Sequence, residues 1–222
     1  MGTKSSRSCV FLSTVVLTVR DRNGDKQLAR ALLDNGSQAN IMSERLSQIL
    51  ELKRRSVNIP ICGVGEAESI ARHSVSTVVS SRLTDFSVNV EFLILQKVTS
   101  ALPAVTVPVT CSKILEGLQL ADPDFNTSSR VDLLIGAEYF YRFFYEQQMK
   151  QINLGAGLPV LIDTVFGWIV SGRASRENSS PVNCCLATTA DNLDILLERF
   201  RKLESEIVPH GPKRNKTVRH IL

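Results

Sequence analysis

One carboxylate of this chain enters a glycine turn directly after an apolar run, at Asp34-Asn35-Gly36-Ser37. The preceding residues Ala31-Leu32-Leu33 are apolar, which indicates a buried strand that ends at Asp34. Peptide hydrolysis by carboxylates needs two such groups: one ionised, to take a proton from water, and one protonated, to polarise the scissile carbonyl. Asp34 is therefore a candidate catalytic acid that needs a partner.

A second Asp-x-Gly triplet is absent from the sequence, and Asp163-Thr164 is followed by Val165 rather than glycine. We therefore expect the second carboxylate to come from Asp34 of another copy across a two-fold axis. At ~3 Å and an effective dielectric of ~20, two carboxylates repel by roughly 5 kcal/mol, so the pair would share one proton. Taken by itself, Asp-Asn-Gly also fits an ordinary hairpin turn, because Asn-Gly favours type I′ geometry.

Three further motifs accompany this turn. They are Ile61-Cys62-Gly63-Val64-Gly65, Asp132-Leu133-Leu134-Ile135-Gly136 and Phe166-Gly167-Trp168-Ile169-Val170-Ser171-Gly172. Together with Leu33-Asp34-x-Gly36-Ser37-Gln38, and in this order, they resemble the aspartic peptidase of BEL/Pao-type retrotransposon polyproteins, a retropepsin-like family (DUF1758). The resemblance covers most of residues 10 to 172.

The resemblance implies a mainly β, retropepsin-like acid-protease half-barrel with one or two short helices. It implies a homodimeric endopeptidase that cleaves a polyprotein with one catalytic Asp34 per chain. The residues that would support the catalytic loop are Asn35, Gly36, Ser37, Leu134, Ile135 and Gly136. The residues that would form a substrate-binding flap are Cys62, Gly63, Val64 and Gly65.

Asn35 departs from the pattern that the resemblance implies. The family places Ser or Thr after the catalytic Asp, with a hydroxyl that bonds across the dimer axis, whereas an amide is planar and carries two donors. Each buried group that loses its partner costs about 1 to 3 kcal/mol. A catalytically weak or inactive domain that retains dimerisation or another interaction is therefore the alternative function.

The elements that must position these residues are mostly strands. Alternation predicts a hairpin of Val15–Val19 and Gln27–Leu33 around Asn23-Gly24, and a half-buried strand from Phe86 to Ile94. Further expected strands cover 57–66 as a hairpin, 105–109, 130–135, 158–162 and 166–170. We expect a sheet-packed helix from Asn40, as its cap, to Leu50, and a short aromatic helix over 137–145.

The composition predicts five segments. An extension over 1–9 precedes the peptidase domain at 10–172, and a Ser-, Asn- and Thr-rich linker follows over 173–190. An amphipathic helix is predicted over 191–207 and a basic tail over 208–222. No polymerase sequence follows, so the chain resembles a fragment of a longer polyprotein.

Charge and cysteine usage limit the possible partners. Lys and Arg number 26 against 22 Asp and Glu, and the excess equals the four basic residues of the tail, so nucleic-acid binding is expected at most through that tail. Five cysteines without C-x-x-C spacing predict neither a disulfide framework nor a zinc site. No apolar run reaches the ~20 residues that span a bilayer. We expect a cytoplasmic protein without metal or organic cofactor that binds itself and a peptide substrate.

Overall fold

The computed structural model describes residues 9–63, 68–108, 115–144, 150–174 and 187–189. Residues 1–8 of the predicted extension 1–9, residues 175–186 and 190 of the predicted linker 173–190, and the predicted segments 191–207 and 208–222 lie outside these ranges. The described strands, in chain order, are β1 Cys9–Phe11, β2 Thr14–Arg20, β3 Lys26–Leu33, β4 Ile41–Ser43, β5 Arg55–Gly63, β6 Glu68–Ser80, β7 Ser87–Leu95, β8 Leu133–Ile135, β9 Gln151–Asn153, β10 Val160–Thr164, β11 Gly167–Ala174 and β12 Ala187–Thr189. The helices are α1 Glu44–Leu50 and α2 Ala137–Phe140, the latter followed by a 3-10 turn, Tyr141–Phe143.

Six strands close into a barrel. Their order is β6-β2-β3-β8-β4-β7, and β7 returns to pair with β6. A core cluster takes buried side chains from each of the six strands, including Val15, Ala31, Met42, Val75, Phe92 and Leu133. The neighbouring residues on several of these strands, such as Leu32, Ile41 and Leu134, belong to a second cluster, because alternate side chains of a strand face opposite sides.

A second sheet, in the order β1-β11-β10-β9, is built mainly from the C-terminal strands of the peptidase region. Phe11, Leu161 and Val170 of this sheet belong to a third cluster, in which Phe11 meets Phe125 edge to face. The β2–β3 hairpin turns as the sequence predicted. Asp21 accepts from the N–H groups of Asn23 and Asp25, and Gly24 has a φ of 89°.

Three local predictions were wrong. The helix begins at Glu44, because Ser43 rather than Asn40 caps it by accepting from the N–H of Leu46, and residues 41–43 form a strand. Residues 105–108 are not a strand, because Val107 exchanges hydrogen bonds with Asn126 rather than with a neighbouring strand and Pro108 has no N–H to donate. Of the strand expected over 130–135, only Leu133–Ile135 forms.

The strand β12 lies inside the segment predicted as a linker. Its three residues pair antiparallel with the end of β5. No helix among the described residues is both long and apolar enough to cross a membrane.

Candidate active site

The candidate catalytic turn joins β3 to β4, and β8 lies between these two strands. β3 runs parallel to β8 with Leu33 opposite Ile135, and the N–H of Asp34 donates to the Ile135 carbonyl at 3.0 Å. On its other side β8 pairs antiparallel with β4. The two apolar segments that the sequence singled out, 31–33 and 133–135, are therefore neighbours, and their pairing places the first residue of the turn.

Gly136 follows β8 and packs directly on the turn. A β-carbon built at this glycine would lie 2.6 Å from the carbonyl oxygen of Ser37 and 2.8 Å from that of Ala39. Its φ of −83° is open to any residue, so space rather than backbone conformation requires glycine here. The N–H of Ala137 also donates to the Ser37 carbonyl at 2.8 Å, which fixes the two loops together.

The two carboxylate oxygens of Asp34 have different surroundings. Oδ1 accepts a hydrogen bond from the N–H of Gly36 at 2.9 Å. Oδ2 is buried and has no hydrogen-bond partner within the described part of the chain. Burial raises the pKa of the Asp34 carboxyl above its ordinary value, and the Gly36 N–H opposes that rise. A buried oxygen without a hydrogen-bond donor favours the protonated form of the carboxyl.

The two fully buried acids of the described ranges are engaged elsewhere. Asp132 accepts from the hydroxyl of Ser43 at 2.7 Å and from the guanidinium of Arg45 at 2.8 Å. Asp122 is paired with Arg30 at 2.7 Å. Neither carboxylate is therefore available as the second acid beside the catalytic turn, although Asp132 belongs to one of the motifs that the sequence analysis identified.

The remaining loop residues divide into buried supports and an exposed tip. Ser37 is buried, and its hydroxyl donates to the Ala39 carbonyl at 2.9 Å. Leu134 and Ile135 are buried on opposite faces of β8. Asn35 is exposed, and its side chain makes no hydrogen bond to the part of the chain that the structure describes.

The structure describes two of the four predicted flap residues. Cys62 and Gly63 end β5, where Cys62 lies opposite Glu68 of β6 and Thr188 of β12. Val64 and Gly65 lie outside the described residues. In the sheet, β5 is separated from β3 by β6 and β2, so the structure does not pair the flap strand with the catalytic turn.

Asn40 is a site residue whose role the sequence analysis missed. Its Oδ1 accepts from the N–H of Gly136 at 2.9 Å, and its Nδ2 donates to the Glu91 carbonyl at 3.3 Å. The amide thereby links the glycine loop and β7 to the start of β4. The signal for this role in the sequence was a polar residue between two apolar ones, Ala39 and Ile41, which are both buried. An asparagine at this position is equally typical of a helix cap.

Comparisons with known proteins bear on the identity of this site. A family model described as "Putative peptidase (DUF1758)" matches residues 15–181. The chain belongs to this family. The predicted mainly β architecture is confirmed by the described strands, and the motifs around Asp34 and Gly136 lie within the matched region.

Among solved structures, the chain is similar to the retroviral protease-like domain of Ddi1 from Leishmania major. The two share 17% sequence identity, with a TM-score of 0.32 over 76% of this chain and 98% of that one. A comparison with curated proteins found no match.

Proposed function

We propose that this DUF1758 domain is a homodimeric aspartic endopeptidase, derived from a BEL/Pao-type retroelement, that hydrolyses an extended segment of a polyprotein. Asp34 of each chain supplies one of the two catalytic carboxylates. The observation that carries this proposal is the half-buried carboxyl of Asp34 at the end of β3, which the Gly36 N–H holds through Oδ1 in a turn fixed against Gly136. A symmetry-related Asp34 would supply the second acid beside the exposed part of this side chain.

The chemistry follows from one proton shared by the two carboxyls. The ionised Asp34 takes a proton from a water molecule, and the water oxygen attacks the scissile carbonyl carbon. The protonated Asp34 gives its proton to the carbonyl oxygen. When the C–N bond breaks, the carboxyl that took the water's proton returns it to the leaving nitrogen. The other carboxylate recovers its proton from a hydroxyl of the tetrahedral intermediate, which collapses to a carboxylic acid. The pair is then ready for another cycle, and no metal or organic cofactor enters these steps.

The substrate form follows from the sheet. An extended peptide can add to the edge of a strand through main-chain hydrogen bonds, while alternate side chains enter pockets. The predicted flap residues Cys62 and Gly63 are the last residues of β5. We therefore expect extended polyprotein segments rather than folded domains as substrates.

Subunit mixing tests this proposal. A peptide library under mildly acid conditions should be cleaved by the full chain, and the rate per chain should rise with protein concentration. Adding a tenfold excess of Asp34→Asn chains should lower the wild-type rate roughly tenfold by mass action, because most wild-type chains then sit in mixed dimers. An unchanged rate, or an activity independent of concentration, contradicts a site shared between two chains.

A non-catalytic dimerisation or interaction domain is the second candidate. Asn35 favours it, because the amide stands exposed at the loop tip where the family resemblance implies a hydroxyl that bonds across the axis. This candidate predicts concentration-dependent association without peptide cleavage, a result that the same experiment would reveal.

A further inference from the structure

The short strand β12 covers one edge of the predicted flap strand. Ala187 lies opposite Gly63, Thr188 opposite Cys62 and Thr189 opposite Ile61, in antiparallel register. On its other edge, the same stretch of β5 pairs with β6. β5 therefore has both edges occupied at Ile61 and at Cys62, one of the residues predicted to contact substrate, and Gly63 is paired with β12. Without β12, β5 would be the outermost strand of its sheet.

An uncovered strand edge presents unpaired N–H and C=O groups, and an extended peptide can pair with them. The segment 187–189 has the arrangement expected of such a peptide, because it is extended and pairs antiparallel with the end of β5. We infer that residues 187–189 occupy, within the same chain, the strand edge that receives substrate, so that this segment competes with substrate peptides. The inference rests on the proposed function only in identifying the competitor as a substrate.

The pairing has the properties of a reversible competitor. The ladder is three residues long, and β12 pairs with no strand other than β5 among the described elements. Few main-chain hydrogen bonds hold it, so a peptide can replace it. The segment is tethered to β11 through residues 175–186, and a short tether gives an effective concentration on the order of millimolar. Substrates well below that concentration would be excluded from the edge.

The test removes the ladder and leaves the rest of the chain intact. Thr188→Pro combined with Thr189→Pro deletes two successive N–H groups, and since these point to opposite sides of a strand, one of them faces β5. Thr188→Val with Thr189→Val is the matched control, because valine retains the N–H and favours strands. Both pairs are made in the full chain carrying Asp34→Asn, so that binding is measured without cleavage.

The probe is a fluorescein-labelled peptide with the sequence of residues 185–191, bearing Ser in place of Cys185, and binding is followed by fluorescence anisotropy. We expect the proline variant to bind it at least tenfold more tightly than the parent, and the valine variant to bind it like the parent. Equal affinities of the proline variant and the parent, or no binding by either, would overturn the inference.

A crosslink supplies the converse test, which does not depend on how the proline variant folds. Gly63→Cys with Ala187→Cys places thiols on two residues that face each other in the ladder. Oxidation should abolish peptide binding, and a reductant should restore it. Binding that is identical in the oxidised and reduced forms contradicts competition at this edge.

Cleavage assays on chains that retain the wild-type Asp34 separate this inference from the proposed activity. If the proline variant binds peptide more tightly and cleaves nothing, the peptidase proposal fails and the competition stands. If the chain cleaves peptides with a KM that the proline substitutions leave unchanged, the activity stands and the competition fails.

Discussion

The backbone of Gly136 touches that of Ser37 so closely that a β-carbon on the glycine would lie 2.6 Å from the serine carbonyl oxygen. This contact joins the loop after β8 to the catalytic turn, and it explains why the second apolar strand ends in glycine. The turn cannot move away freely, because Ala137 also donates to the same carbonyl.

Gly136→Ala should therefore lower both stability and activity. Overpacking of this kind costs about 1 to 3 kcal/mol, which corresponds to a fall in Tm of about 2–4 °C per kcal/mol for a domain of this size. Thermal unfolding followed by circular dichroism measures the loss. Gly24→Ala is the comparison: that glycine has open space but a positive φ, so the substitution should lower Tm through backbone strain and leave cleavage unchanged. If it reduced peptide cleavage as much as Gly136→Ala does, the clash would not be the cause.

Asp34→Asn should abolish cleavage and stabilise the fold at neutral pH. The folded-state pKa of Asp34 is raised by burial, so the folded chain holds its proton more tightly than the unfolded chain. Stability therefore falls as pH rises from the unfolded pKa of about 3.8 through the folded one. The gain in Tm of the variant should be full near pH 7 and vanish below the unfolded pKa. Asp85→Asn, at an exposed position, is the control and should leave Tm and cleavage unchanged. If the gain in Tm of Asp34→Asn were the same at every pH, titration of the Asp34 carboxyl would not be its source.

Asn35→Ser should strengthen the dimer and raise the cleavage rate. A hydroxyl at this position can bond across the axis, and restoring one buried partner at about 1 to 3 kcal/mol corresponds to at least a severalfold lower dimer Kd. Sedimentation across a concentration series measures that Kd. Asn23→Ser, in the exposed β2–β3 turn, is the matched control. If Asn35→Ser improves neither association nor cleavage, the amide is not what limits the enzyme.

Arg30→Met should be strongly destabilising, because it leaves the buried carboxyl group of Asp122 without its cationic partner. The side chains of this pair are only 9% and 1% exposed, and breaking a buried pair from one side costs about 3 to 5 kcal/mol. Denaturant titration measures the change. The exposed pair of Arg55 and Glu91 provides the comparison, and Arg55→Met should cost about 1 kcal/mol or less. If Arg30→Met and Arg55→Met lowered the free energy of unfolding equally, burial of the ion pair would not determine its contribution to stability.

Local patterns predicted the elements whose fold depends on neighbours in sequence. The β2–β3 hairpin and β7 form because alternating apolar residues and an Asn-Gly turn are sufficient signals. The strand expected over 105–109 does not form over the described residues 105–108. Its apolar residues suit a strand, but Val107 exchanges hydrogen bonds with Asn126 instead of with a neighbouring strand.

The sequence by itself determined that Asp34 ends an apolar strand and that no second Asp-x-Gly turn exists in the chain, because these conclusions need only residue types and spacing. The position of the apolar strand ending in Gly136 beside this turn was implied by the family resemblance. Tertiary structure decided that β8 lies between β3 and β4, that Asn40 links the two loops, and that β12 pairs with β5. Each of these contacts joins residues far apart in the chain, and periodicity along a sequence carries no information about which distant strands become neighbours.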